Sequence, residues 1–572
     1  MKIKHLFGLA VIAAMTASCS SNEDLGTAGP GTGNNETGVG YASFSINLPT
    51  TSGTRADGDP TFENGDDNEY KVNDATLLIF KKVKATDKEG DYTFVECAEL
   101  GSMAPWKDPT ETGVTTHAKI TAKLDKVNKT DNFFALVLLN NGTVANAKVT
   151  LPTEGEKFSA WNTAKVTDKF ATTENGFYMA NAPLFKDNNV TTLVPIESAK
   201  IYSTEEEAAK NAATDIYVER GLAKVTLKTG KAATGKTDDN YTVTDGAYKD
   251  DKVTISNWAL DVTNKKAYPI HNVDGLTDDY AEIWSNKADP ASSNGANTQR
   301  FVDNTATLAQ RVYWGKDPNY DNKDADKSVL KDEFNYVKNE DVTVEPSKPK
   351  YCLENTFNLN NMMQGQTTRV VFKATYKPAN LREGETTFYK IGKNTAIWRE
   401  ADLKQEIEAA VASVVSGAAG KTTVTLNAEG NNITAAGTHY IEAANISVSD
   451  ATITTENITA INTQLGLNKT KKVGISTYAG GESYYIARIK HFGDDLTKWE
   501  SGTYNDDKLS FLGRYGVLRN NWYELTVQSV SGPGYPSVPE VKPNTPDDED
   551  DKYINVSVKI LKWAKRSQKV DL

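Results

Sequence analysis

From Tyr41 the chain reads YASFSINLP, placing Ala42, Phe44, Ile46 and Leu48 on one side of an extended backbone and Ser43, Ser45 and Asn47 on the other. This alternation predicts a half-buried strand. ATLLIF from Ala75 and FFALVLL from Phe133 are apolar without alternation and predict strands covered on both faces. KVTISNWAL from Lys252, TTRVVFKATY from Thr367, SYYIARIK from Ser483 and WYELTVQSV from Trp522 predict further strands, the last three with a period of two. One helix stands out. Leu403, Ile407, Val411 and Val414 share a stripe, Asp402 is a plausible N-cap and Gly417 a stop. Short strands separated by polar loops, with helices as accessories, predict an all-β protein built from sandwiches.

The far end of the chain breaks the pattern. Residues 531–551, SGPGYPSVPEVKPNTPDDEDD, hold five prolines and close on an acidic cluster, so they predict an extended linker with neither a full ladder of hydrogen bonds nor a core. Beyond it Ile554, Val556, Val558 and Ile560 alternate with Asn555, Ser557 and Lys559, and Trp563 adds a large apolar anchor. This is a strand with no hairpin partner in the sequence. It either leaves its own domain or folds back as an edge strand.

The beginning is equally distinct. Lys2 and Lys4 precede the apolar stretch Leu6–Met15, too short to span a bilayer, and Ala17 and Ser18 precede Cys19, which together read as a secretory signal. A cysteine in that place predicts a lipoprotein diacylated on Cys19; the alternative is a cysteine that merely lies near a conventional cleavage site. Residues 20–40 are Gly, Asn, Thr and acid, which predicts a tether. Between the first strand and the next apolar segment, TSGTRADGDPTFENGDDNE sets Arg55 in a polar loop open to proteolysis, although a lone loop arginine is also common.

Composition narrows the function. The 572 residues are 38% hydrophobic with a net charge of −12, which would repel a polyanion, so nucleic acid is not an expected partner. Loss of residues 1–18, with two lysines, takes the charge to −14. Only Cys97 and Cys352 follow Cys19, and buried thiols are expected of them. Catalytic constellations are not evident. GAAGKTT at Gly417–Thr423 has the look of a phosphate loop, but Val415 stands where the first glycine belongs and a helix comes before it rather than after. The five histidines are isolated from one another, the sequence around Ser476 is GISTY rather than a nucleophile elbow, and the acidic groups Asp57, Asp59, Asp66 and Asp67, or Asp321, Asp324 and Asp326, lack calcium-loop spacing. No cofactor or metal, and no enzymatic activity, is expected.

Several longer stretches carry a family resemblance: TRADGDP around Arg55, VERGLAKVTL at Val218–Leu227, ISNWALDVTNKKAY at Ile255–Tyr268, YCLENT at Tyr351–Thr356, GRYGVLRNNWYELTVQSV at Gly513–Val530, then VSVKILKW and the terminal KVDL. In this order they resemble the fimbrillins of Bacteroidota, nearest the major subunits of the short fimbriae. Ser20 to Asp24 also resembles the surface-export signal of lipoproteins from that phylum.

The resemblance implies two transthyretin-like β-sandwich domains plus a detached C-terminal donor strand. It divides the chain into a signal peptide (1–18), a tether and first strand removed on processing (19–55), an N-terminal sandwich (56–215), a C-terminal sandwich (216–530), a linker (531–552) and a donor strand (553–572). It further implies a lipid-anchored outer-membrane precursor that a trypsin-like protease cuts between Arg55 and Ala56. Loss of the strand bearing Phe44, Ile46 and Leu48 would open a groove for Ile554, Val556, Val558, Ile560 and Trp563 of another copy, a β-strand addition between chains. The expected partners are then the chain itself, anchor and tip subunits, the processing protease, and host or bacterial surface ligands of a cell-surface fimbrium that mediates adhesion and biofilm formation. Two alternatives are an anchor or tip subunit of the same family, and a monomeric glycan-binding surface lipoprotein.

Overall fold

The computed structural model describes residues 40–49, 67–101, 114–142, 146–166, 170, 175–186, 189–228, 240–276, 310–312, 314–321, 327–358, 361–491, 513–547 and 554–561. Its first half is organised by one eight-stranded sheet. The strands are β1 (Gly40–Pro49), β2 (Ala75–Lys82), β3 (Thr93–Glu99), β4 (Val114–Leu124), β5 (Asn132–Leu139), β6 (Met179–Asn181) and β7 (Thr214–Arg220), with Val194–Ile196 added beside β5. The order across the sheet is β3-β2-β5-β6-β7-β1-β4. As their unbroken apolar runs predict, β2 and β5 are central and buried on both faces from Ala75 to Phe80 and from Ala135 to Leu139.

The first strand departs from expectation. Its apolar face is buried, but Ser43 and Asn47 on the polar face are buried too. The cause is a helix late in this half, α2 (Glu205–Lys210), as distinct from the four-residue α1 (Asp67–Tyr70) near its start. Thr204 caps α2 by accepting from Glu207 N, and three glutamates in the first turn suit the positive end of the helix. The Ser43 hydroxyl donates to Ala208 O at 2.8 Å, so a short helix covers what the alternation read as a solvent face.

The second half holds two four-stranded sheets. One has the order β11-β8-β14-β15, from β8 (Ala223–Leu227), β11 (Lys350–Cys352), β14 (Trp522–Val530) and β15 (Ile554–Leu561). The other has the order β9-β10-β12-β13, from β9 (Asn240–Thr242), β10 (Lys252–Asp261), β12 (Arg369–Lys377) and β13 (Glu482–Arg488). Trp258, Phe372, Tyr485 and Tyr523 meet in the core between these sheets. A separate core lies in residues 389–475, where α3 (Glu400–Val414) and α4 (Thr455–Gln464) pack over short strands. Leu403, Ile407 and Val411 face inward as predicted. The helix starts earlier than predicted, however, with Arg399 as its cap, and Asp402 in the first turn is bonded to Arg399 at 2.7 Å. Cys352 is buried in β11 and burial pushes its thiol up to about 12, whereas Cys97 in β3 is half-buried, and no disulfide joins the two.

Residues 531–547 are extended but not free. They form a strap laid over β12 and β13: Tyr535 and Tyr484 exchange backbone bonds at 2.8 and 2.7 Å, Tyr478 and Tyr485 donate their hydroxyls to Gly534 O and Gly532 O, and Arg369 donates to Pro539 O at 2.7 Å. Tyr535 and Val538 pack against Val371, Tyr484 and Ile486, and Val541 packs against Leu330 and Phe334. Gly534 is obligatory here, because a Cβ would collide with Tyr484 O. The strap ends in an antiparallel bridge between Met363 and Pro546, with Asp547 buried and accepting from Thr367 at 3.0 Å. The prolines cost little because the strap is bound mainly through its carbonyls, for which no N–H is needed.

Candidate functional site

The most unusual placement in the fold is that of β1. It is first in the described chain, yet it lies inside the sheet, parallel to β7 through Phe44↔Thr214 to Asn47↔Tyr217 and antiparallel to β4 from Gly40↔Leu124 to Pro49↔Val114. Ala42, Phe44 and Ile46 are 0% exposed and Leu48 1%. Between them these side chains fill a lane whose walls include Leu124, Ile216 and Val218. Only residues 50–66, which include the predicted cleavage position, connect this strand to the rest of the chain. Without it, β7 and β4 would face each other with unpaired backbone groups across a strand-wide slot.

The element just after that connection is fixed firmly. Glu69 of α1 sits where the N-terminal sheet meets β8 and β11. Lys224 lies 2.6 Å from its carboxylate, Tyr351 donates to the same oxygen, and Arg220 donates from Nε to the Glu69 backbone oxygen at 2.7 Å. The Lys224 ammonium also lies 3.9 Å from the centre of the Trp522 ring. Nearby, buried Arg519 pairs with Glu354, and His271 lies 2.8 Å from Glu219.

The C-terminal strand is not left hanging in the single chain. In backbone register Ile554, Val556, Val558 and Ile560 stand opposite Val530, Val527, Leu525 and Tyr523 of β14. A strand edge beside an alternating apolar segment is a natural pairing site, and in the single chain that edge is β14. Cys19, Arg55, Ala56 and Trp563 lie outside the described residues. The structure therefore sets Phe44, Ile46 and Leu48 in one interior lane and the terminal strand at the edge of a different sheet. The strap and the Glu69 network were missed by sequence reasoning. Tyr535, Val538 and Val541, three apolar anchors between the prolines, were the signal for the strap.

A polar cavity of about 530 Å3 is lined by residues that include Tyr268, Asn272, Lys316, Asp317 and Tyr320. Burial pushes the Asp317 carboxyl up to about 7 against the opposing pull of backbone N–H groups from Thr356 and Asn319. Burial likewise pushes Glu89 up to about 7, although it accepts from Thr192 N and Leu193 N at 2.8 and 2.5 Å. A carboxyl with a raised folded-state pKa holds its proton more tightly in the folded chain, so its contribution is present at low pH and lost as pH rises through about 7. The melting temperature is expected to fall as pH rises from about 4 to about 7 and to level off above that, and Glu89→Gln with Asp317→Asn to flatten that slope. An unchanged slope in the double variant, followed by calorimetry, would remove these two groups as its source.

Residues 476–569 match the family model for the major fimbrial subunit protein type IV, fimbrillin, C-terminal. No curated protein matches the chain. Among solved structures, a candidate cell adhesion protein from Parabacteroides distasonis aligns at 11% identity over 92% of this chain and 99% of its own, with a TM-score of 0.38. A candidate cell adhesion protein from Bacteroides eggerthii aligns at 13% identity over 93% and 98%, with a TM-score of 0.33. A fimbrial assembly protein from Parabacteroides distasonis aligns at 9% identity over 59% and 85%, with a TM-score of 0.27. Likenesses this low carry no weight for the fold. Among the described residues no helix is long and apolar enough to cross a membrane. The fimbrillin family match covers the C-terminal region alone, from before β13 to beyond β15.

Proposed function

We propose that this chain is a fimbrillin, the repeating subunit of a surface fimbrium, and polymerises by exchanging one strand for another. The precursor, held at the outer membrane by lipid on Cys19, is cut after Arg55 by a trypsin-like protease. The segment 19–55 then departs with β1, and the terminal strand of a second copy enters the lane between β7 and β4. Anchor and tip subunits would complete the assembly, and surface ligands would be met along it.

The observation that carries this reading is the position of β1: the first described strand, buried along its whole apolar face, and followed in the sequence by the polar residues 50–66 with Arg55 among them. Ile554, Val556, Val558 and Ile560 repeat the spacing of Ala42, Phe44, Ile46 and Leu48, so either segment sets four apolar side chains on one face. At about 1.5–3 kcal/mol for each apolar side chain and about 1 kcal/mol for each hydrogen bond, such a joint would be long-lived. The competing glycan-binding and anchor or tip readings do not account for both a removable interior strand and a second strand of matching period.

Low-dose trypsin on the lipid-free precursor is expected to cut at Arg55 and give ladders on mildly denaturing gels. Deleting residues 553–572 is expected to abolish the ladders while the monomer stays folded, its melting temperature lowered only by loss of the β14–β15 edge pairing. Cleavage at Arg55 that yields monomers alone would sink the proposal, as would collapse of the deleted monomer.

A further inference from the structure

The strap constrains how far the terminal strand can travel. If residues 531–553 were free, twenty-four Cα steps would let Ile554 move roughly 80 Å from Val530. They are not free. The strap is bonded along its length, to Tyr484, Tyr478 and Tyr485 near its start, to Asn339 and Arg369 in its middle, and to Met362, Gln364 and Thr367 at its end. These bonds use residues of the subunit's own second half and none of β15. Releasing β15 from β14 therefore leaves every one of them intact.

We infer that the strap stays seated on its own subunit when the terminal strand is donated, so that the surface around the strap's end, beside the half-buried Met363 and Tyr336, is the face each subunit turns toward the next copy. The inference rests on the strand-exchange reading above. Only residues 548–553 separate Asp547 from β15, and their seven Cα steps reach about 25 Å at most. The lane between β7 and β4 of the acceptor must open within that radius of Asp547. A second copy of this chain is thus the occupant, and the radius excludes an acceptor docked on the opposite side of the donor.

The bridge at the strap's end provides the test. Gln364 N donates to Thr545 O at 2.8 Å and Asp547 N to Met362 O at 3.2 Å, so Met363 and Pro546 form the non-hydrogen-bonded type of antiparallel pair. In such a pair the Cα atoms lie about 4.5 Å apart, within disulfide range. Met363→Cys with Pro546→Cys, oxidised and mapped by peptide mass spectrometry, would lock the strap. After cleavage at Arg55 the locked protein is expected to give ladders within about twofold of the unlocked protein. Ladders that appear only after reductant is added would overturn the inference.

Deleting residues 549–551 halves the remaining reach and is expected to cut ladder yield at least tenfold with the monomer's melting temperature unchanged. A peeling strap would absorb that deletion, so an unaffected yield would also overturn the inference. This arm remains decisive if the double-cysteine protein does not fold. Absence of ladders from the unlocked, undeleted protein is a different result, which removes the strand-exchange reading and the strap inference with it.

Discussion

Lys224→Met is expected to lower the unfolding free energy by about 3–5 kcal/mol, an unusually large loss for a single lysine. Glu69 and Lys224 are 2% and 3% exposed at the side chain, so neither charge is solvated by bulk water. Removing the ammonium takes away the counter-charge 2.6 Å from the Glu69 carboxylate, in a site too dry to screen the loss. Methionine keeps most of the lysine's apolar volume against Trp522, so the loss reports charge and not a cavity. Glu69→Gln in the same chain is expected to restore most of the deficit, because the buried charge goes as well. Urea denaturation of the single and double variants measures both effects. A single-variant loss below about 0.5 kcal/mol, the range of exposed pairs, would show that the site is wetter than its burial implies.

This network also bears on processing. Glu69 follows the segment that holds Arg55 in the sequence, and it is bonded to Lys224 of β8 and Tyr351 of β11. A chain cut in that loop would keep its new N-terminal end docked across the two halves while β1 is freed. Under the proposed processing, the arrangement would separate what is removed from what must stay.

The sequence made the strands legible wherever a single strand carries its own signal. The bounds of β14 were predicted to the residue, and the unbroken apolar runs of β2 and β5 told correctly of two covered faces. Contacts made far apart in the chain were not legible. Nothing local in YASFSINLP shows that α2 will cover Ser43, and nothing near Glu69 points to Lys224. The strap was misjudged for a related reason: proline-rich composition reports the absence of a backbone ladder, but not whether carbonyls and a few apolar side chains find partners on an existing surface. The core of residues 389–475 was visible only through α3, because its short Asn- and Thr-rich strands lack a period long enough to read.

Phe44→Ala should distinguish the two states of the molecule more sharply than any other single change. In the precursor the ring is 0% exposed within the largest core, so truncation is expected to cost about 3–5 kcal/mol and to loosen β1 between β7 and β4. In the processed polymer the same substitution is expected to cost nothing, because β1 would be gone and the lane held by the Ile554–Ile560 face of a neighbour. Thermal melts of the precursor, and of polymer formed after cleavage at Arg55, give the comparison. A deficit of equal size in both would mean that Phe44 still occupies its lane after cleavage, and strand exchange would fail. A deficit confined to the precursor would identify β1 as a resident of the unassembled state alone. Because a weakened β1 leaves more readily, the variant is also expected to assemble faster once cut, so the loss in precursor stability and the gain in assembly rate share one cause.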